Sequence, residues 1–168
     1  RTELDDTLDT IAKGLAYNSR SPVVRNPGDE GLEWEDVYFP SADGTVLEGW
    51  FIPSPGSEKL IICTHAFGFN KGGFPSHIEP WKSYWGPGND YEISFIPDYR
   101  ILHDAGYNVF AYDFRNHGHS AAANGALNSN NRFEARDVLG SLAYVRSRND
   151  LANMTLGLFS RCMGANAR

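Results

Sequence analysis

Hydrophobic and polar positions along this 168-residue chain follow two different periods. Leu4, Leu8, Ile11 and Leu15 recur at helical spacing, which predicts an amphipathic helix over residues 3–16, packed on the outside of the domain. Ser21-Pro22 and Asn26-Pro27-Gly28 then break the chain, so residues 1–31 read as a helix and lead-in. Residues 32–40 and 46–52 are rich in strand formers and flank Ala42-Asp43-Gly44, a turn signal, which predicts a hairpin. Apolar runs at 59–65, 107–113 and 154–159 read as strands, the last of them buried and parallel. Between them lie two helical patterns. Residues 94–105 have Pro97 in the first turn and Gly106 as a stop. Residues 131–148 place Ala135, Val138, Leu139, Leu142 and Val145 on one face.

The order is hairpin, strand, helix, strand, helix, strand and the start of a helix. Such alternation predicts an α/β fold, a mostly parallel sheet with helices on both faces. Ligands then bind beyond the carboxyl ends of the strands. Three segments fall there: the loop 66–73 after His65, the polar turn 113–120, and residues 160–168. The first is rich in glycine, which lets backbone N–H groups approach a ligand. Residues 70–93 form an aromatic insertion within a domain spanning 32–168. There Phe74, Trp81, Tyr84, Trp85 and Tyr91 are interleaved with proline and glycine. A loop this long is usually functional, so Trp81 and Trp85 are expected to wall a substrate pocket. The alternative is a surface loop stapled down by its own aromatics.

Composition narrows the function. Hydrophobic residues make up 41% and charged ones 21%, an ordinary globular balance. The net charge of -6 argues against nucleic acid, whose backbone demands a basic footprint. No apolar run approaches the roughly 20 residues that span a bilayer, and the acidic start Arg1-Thr2-Glu3-Leu4-Asp5-Asp6 does not read as a signal peptide. The two cysteines, Cys63 and Cys162, fall in or beside separate strands and form no disulfide framework. The histidines and cysteines lack metal-site spacing, so no metal or cofactor is expected.

The segment Ser160-Arg161-Cys162-Met163-Gly164-Ala165 follows the last apolar run directly. A strand that turns at once into a helix through small-x-nucleophile-x-small lifts the central side chain above the sheet, and bulky neighbours two residues away would collide. If Ser160 were central, Leu158 would occupy a position that must be small. With Cys162 central, the flanks are Ser160 and Gly164. Cys162 is therefore the candidate nucleophile, against the alternative of a small buried residue in an ordinary turn. A thiol nucleophile suits a reducing compartment, which points to the cytoplasm.

Taken together, residues 32–168 resemble the N-terminal half of an α/β-hydrolase. His65-Ala66-Phe67-Gly68 resembles the family's His-Gly-x-x oxyanion loop, with Ala66 replacing the usual glycine. Residues 113–120, Asp-Phe-Arg-Asn-His-Gly-His-Ser, resemble the Asp-x-Arg-Gly-x-Gly-x-Ser turn. The segment around Cys162 resembles the nucleophile elbow with Cys for Ser, as in the dienelactone hydrolase branch. The resemblance implies acyl transfer: Cys162 attacks an ester, lactone or thioester carbonyl, and water releases the acyl-enzyme. It also implies an oxyanion hole made by the backbone N–H groups of Met163 and Phe67. Arg161 is a candidate for substrate binding and for lowering the thiol pKa.

The family's triad continues with an acid and a histidine after the nucleophile, and neither follows Cys162 here. The chain is thus expected to be the front portion of a longer hydrolase, completed by a further segment or a second chain, and a poor enzyme alone. His65 is expected to shape the oxyanion loop, Asp113 to fix the turn after it, and His77, His103, His117 and His119 to make local hydrogen bonds. Two alternatives stand beside hydrolysis: an acyltransferase on the same scaffold, and a catalytically inactive binding module using the aromatic loop. The aromatic rim suggests an apolar or aromatic acyl group.

Overall fold

The computed structural model describes residues 1–168 apart from Asn18, Gly86 and Arg168 and the side chains of Tyr84 and Trp85. Helix α1 (Glu3–Ala16) begins at Thr2, whose hydroxyl accepts the Asp5 N–H while the Asp5 carboxylate accepts the Thr2 N–H. This capping box, with acids in the first turn and Lys13 in the last, suits the helix ends. The expected packing is absent. Leu4, Leu8, Ile11 and Leu15 are 54–65% exposed, and no residue of α1 is buried. The helix is tied at its C-terminal end instead, where Asn128 N–H donates to Ala16 O at 2.7 Å and Tyr17 bridges Leu127.

The hairpin pairs β1 (Glu35–Pro40) with β2 (Val46–Ile52). Next come β3 (Lys59–Thr64) and the two-residue strands β4 (Gly73–Phe74) and β5 (Ile93–Ser94), which pair with each other. The aromatic stretch is therefore an excursion closed by its own ladder, with the short helix α2 (Trp81–Trp85) inside it. Gly73 sits at φ 128° with its α-carbon against the Ile93 carbonyl, where no side chain fits. Then follow α3 (Ile96–Asp104), β6 (Asn108–Tyr112), α4 (Glu134–Ser147), β7 (Thr155–Ser160) and the short α5 (Met163–Asn166).

The sheet order is β1-β2-β6-β3-β7, with β6, β3 and β7 parallel and the hairpin added antiparallel. Period-two alternation divides its apolar residues between two cores. Val37, Phe39, Leu47, Leu60, Ile62, Phe110 and Tyr112 face α4 and the elbow residues Met163 and Ala167. Trp50, Ile52, Cys63, Val109 and Ala111 face Ile96 and Tyr99 of α3. The expected sheet with helices on both faces is thus present. Two expectations change. Leu139 of α4 is 58% exposed, while Glu134, Asp137, Val138, Ser141 and Val145 are buried. The helical period is right, but its phase is set by two buried acids that serve loops. The last strand is also less buried than its sequence suggests, with Leu158 and Phe159 half-exposed. Among the described residues no helix is long and apolar enough to cross a membrane.

Candidate active site

At the end of β7 the backbone turns through Cys162 at φ 48°, ψ -113°. A non-glycine residue rarely holds this conformation, which costs on the order of 1–3 kcal/mol and persists only where the surroundings enforce it. They do so here. A Cβ on Gly164 would run into Thr64 Oγ1 and lie 2.7 Å from Thr64 Cβ. The turn can therefore close only with a small residue two positions beyond Cys162, and its helix then packs down through buried Met163 and Ala167. On the other flank Ser160 pairs in register with Thr64, and both hydroxyls are buried with no hydrogen-bond partner among the described residues. Cys162 itself is exposed, whereas Cys63 is buried and its thiol is pushed up to about 12 by burial. Of the two thiols, only Cys162 is presented to solvent.

The glycine loop beside the elbow is held by two histidines. Nε2 of His65 accepts the Phe114 N–H at 3.0 Å, so Nδ1 carries the proton and donates to Ala66 O at 2.8 Å. His117 works the same way, with Nε2 accepting the Gly68 N–H at 3.2 Å and Nδ1 donating to Arg115 O at 2.8 Å. Both rings are buried and neutral. Burial, aided by His117, pushes His65 down to about 3, and burial likewise lowers His117. His65 therefore shapes the loop, as expected, and its basic nitrogen is already taken. Within this loop Phe67 packs edge-on against His117. The N–H groups of Phe67 and Met163 have no acceptor among the described residues.

These imidazoles predict an acid-labile fold. Unfolded histidine titrates near pH 6.5 and folded His65 near 3, so the unfolded state holds more protons between these values. Stability is therefore full above pH 6.5 and falls as the pH drops. His65 alone should remove about 2–3 kcal/mol by pH 4.5, where the exposed glutamates also begin to titrate. Urea unfolding across this window measures the slope, and a His65→Asn variant should flatten it.

Asp113 organises the polar turn, as its position suggested. Its carboxylate accepts the Lys71 and His119 N–H groups at 2.6 and 2.9 Å, and it leaves room at position 118 for glycine alone. Its main partner carries no signal in the sequence. Lys71 is fully buried, with Nζ 2.7 Å from Asp113 Oδ2 and 3.2 Å from Glu48 Oε1. Arg115 is equally buried and is gripped by Asp137, Asp43, Asn124 and Ser41. The lead-in reinforces the same loops through Arg20, which donates to Gly118 O and Ser120 O, and Ser21, which donates to Gly68 O.

Other expected site residues lie elsewhere. The Arg161 guanidinium bonds Asp98 at 2.7 Å and is sandwiched by Phe95 and Phe159, 4.0 and 4.3 Å from their ring centres. It faces α3 and is already engaged there, which speaks against a role at the thiol or on a substrate. A small apolar pocket of about 150 Å³ does lie under the aromatic excursion, lined by Phe69, Phe74, Ser76, Asn89, Tyr91 and Ile93. Trp81 does not line it, and the side chain of Trp85 is outside the described residues. Among the described residues no histidine or carboxylate bonds the Cys162 sulfur, and no three His, Cys, Asp or Glu side chains converge on a metal-sized space.

A parallel sheet with an antiparallel hairpin at one edge, and a strained residue between the last strand and its helix, define the α/β-hydrolase fold. Solved structures agree. The esterase Pf2001 of Pyrococcus furiosus superposes with a TM-score of 0.67 at 25% identity, over 88% of this chain and 50% of that one. A dienelactone hydrolase from Anabaena variabilis has a TM-score of 0.54 at 14% identity, over 81% of this chain and 55% of that one, a likeness of fold alone. Among curated proteins, YfhR of Escherichia coli, described as uncharacterized, is 30% identical over 143 residues, which is 82% of this chain. The chain spans 41% of the length of that relative. No family model matches.

Proposed function

We propose that this chain carries the nucleophile and oxyanion hole of a cysteine-dependent hydrolase of carboxylic esters, lactones or thioesters, with the acid and histidine of the triad outside these 168 residues. The observation that carries the reading is Cys162, an exposed thiol on a strained backbone that Gly164 and Thr64 enforce. Support also comes from the likeness to an esterase of which the chain covers only half. The Cys162 thiolate attacks the acyl carbon, its proton having passed to the missing base. The carbonyl electrons move to oxygen, which the Met163 and Phe67 N–H groups stabilise. Collapse breaks the bond to the leaving group, which takes that proton. Water then attacks the thioester, releasing the acid and restoring the thiol.

Incubation with p-nitrophenyl acetate tests this. The chain should release at most one equivalent of nitrophenol and gain one acetyl group by mass, with little turnover. A Cys162→Ala variant should gain none. Labelling that survives this substitution would place the reactive group elsewhere.

A further inference from the structure

The outer face of the hairpin holds a cleft that acyl transfer does not use. Because side chains alternate along a strand, Val37 and Phe39 enter the core while Trp34, Asp36 and Tyr38 face the other way, beside Glu48 and Trp50 of β2. The register sets Asp36 opposite Trp50 and Tyr38 opposite Glu48. This makes a checkerboard of carboxylates and aromatic rings, with cross-strand partners in direct contact range. Above it, the lead-in at Val23–Asn26 and His119 complete a cavity of about 330 Å³. We infer that this cleft binds a small organic ammonium ion.

Three features carry the inference. First, the Trp34 ring is held in place before any ligand arrives. Trp34 is 38% exposed, yet its ring lies against Gly28, where an added Cβ would sit 3.0 Å from Cζ3, and its N–H donates to Asp36 Oδ1 at 3.2 Å. Aromatic faces attract ammonium groups by their quadrupole, more strongly as water is excluded. Second, acceptors remain. Glu48 Oε1 is taken by Lys71 and His119, but Glu48 Oε2 and Asp36 Oδ2 have no partner among the described residues. Third, the cations nearby are already neutralised. Arg25, the Lys or Arg that lines the cleft, is bound by both Glu92 oxygens at 2.7 and 2.8 Å. Lys71 is paired with Asp113, and its Nζ sits 4.8 Å from the Trp50 ring centre. The fold thus already holds one ammonium of its own on this ring and the Glu48 carboxylate. The lining includes no residue of the elbow or of the loop 66–70, so the cleft is separate from the Cys162 site.

Titration of choline chloride into the 168-residue chain at constant chloride, read by the indole N–H signals of Trp34 and Trp50 in NMR spectra, tests the proposal. A saturable shift is expected. Binding should be about tenfold weaker in Asp36→Asn and in Tyr38→Ala, and about tenfold weaker for the neutral isostere in which carbon replaces the quaternary nitrogen. Both substituted side chains are exposed, so the variants keep the fold. The absence of a saturable shift, equal affinity for the neutral isostere, or unchanged affinity in Asp36→Asn would each overturn the proposal.

Discussion

Replacing Lys71 by methionine is expected to destabilise the chain by about 3–5 kcal/mol, the usual cost of removing one partner of a buried ion pair. Lys71 and Asp113 are both shielded from solvent, and the ammonium lies 2.7 Å from the carboxylate. Burial by itself would push the Asp113 carboxyl up, yet Lys71, His65 and the His119 N–H outweigh it and leave it below its ordinary value. Without the ammonium, a dry carboxylate would retain only two N–H donors, from Lys71 and His119. Folded domains are stable by roughly 5–15 kcal/mol, so this loss would consume much of the margin. The pair also has a diagnostic signature. Adding Asp113→Asn to Lys71→Met removes the stranded charge while keeping an acceptor for the N–H groups. The double variant should be more stable than Lys71→Met alone, and the coupling is measured by urea unfolding of all four chains. Strictly additive losses would show that the ion pair is not what holds this loop.

The elements that the sequence made legible are those whose boundaries carry their own punctuation. Pro97 and Gly106 bracket α3, and proline or glycine signals border the hairpin and β3. Less legible was what each element touches. The stripe Leu4, Leu8, Ile11 and Leu15 marks one face of α1 as apolar, but a period contains no information on whether a partner covers that face. In α4 the pattern of apolar residues put Leu139 inside, whereas the buried face includes Asp137 and Glu134 because Arg115 and Ser129 bind them. Polar residues buried for hydrogen bonding are invisible to a reading that sorts side chains by apolarity. The aromatic stretch was legible only in part. Prolines and glycines among its rings hid the short α2, and the pocket beside it takes its walls from Phe69, Phe74, Tyr91 and Ile93.

The local geometry of the candidate site was more accessible, since it follows from a steric demand. Only Cys162 has small residues on both flanks, and the backbone bends at that residue with a positive φ. Arg161 is engaged away from its expected place because a neighbour in sequence can project to another side of the sheet. In a strand-like segment, successive side chains alternate, so Arg161 and Cys162 diverge and the guanidinium reaches Asp98 on α3. Lys71 had no sequence signal: its partner lies 42 positions away, and nothing local marks a lysine as buried. Arg115 had one, its place in a turn of recognisable pattern, but its ligands came from three other segments.

Those ligands make Arg115 the second position where one substitution should do most damage. Its guanidinium lies fully buried between Asp137, itself inaccessible, and Asp43, and it joins the hairpin turn, the polar turn and α4. Gly140 lets α4 approach this closely, since a Cβ there would lie 2.5 Å from Ser41 Cα. Arg115→Met should cost about 3–5 kcal/mol at neutral pH, because the buried Asp137 carboxylate would be left without a cation while Asp43 keeps only Arg136. Arg115→Lys should recover less than half of that, since a single ammonium does not present the planar fork that serves both acids at once. The loss should also depend on pH. In Arg115→Met the stranded Asp137 gains a proton more readily in the folded state than in the unfolded one, because burial raises it, so stability relative to the natural chain rises as the pH falls. Urea unfolding at neutral and mildly acidic pH distinguishes the causes. A gap that narrows toward acid identifies unpaired charge as the cost, and a constant gap would assign it to lost packing around the guanidinium.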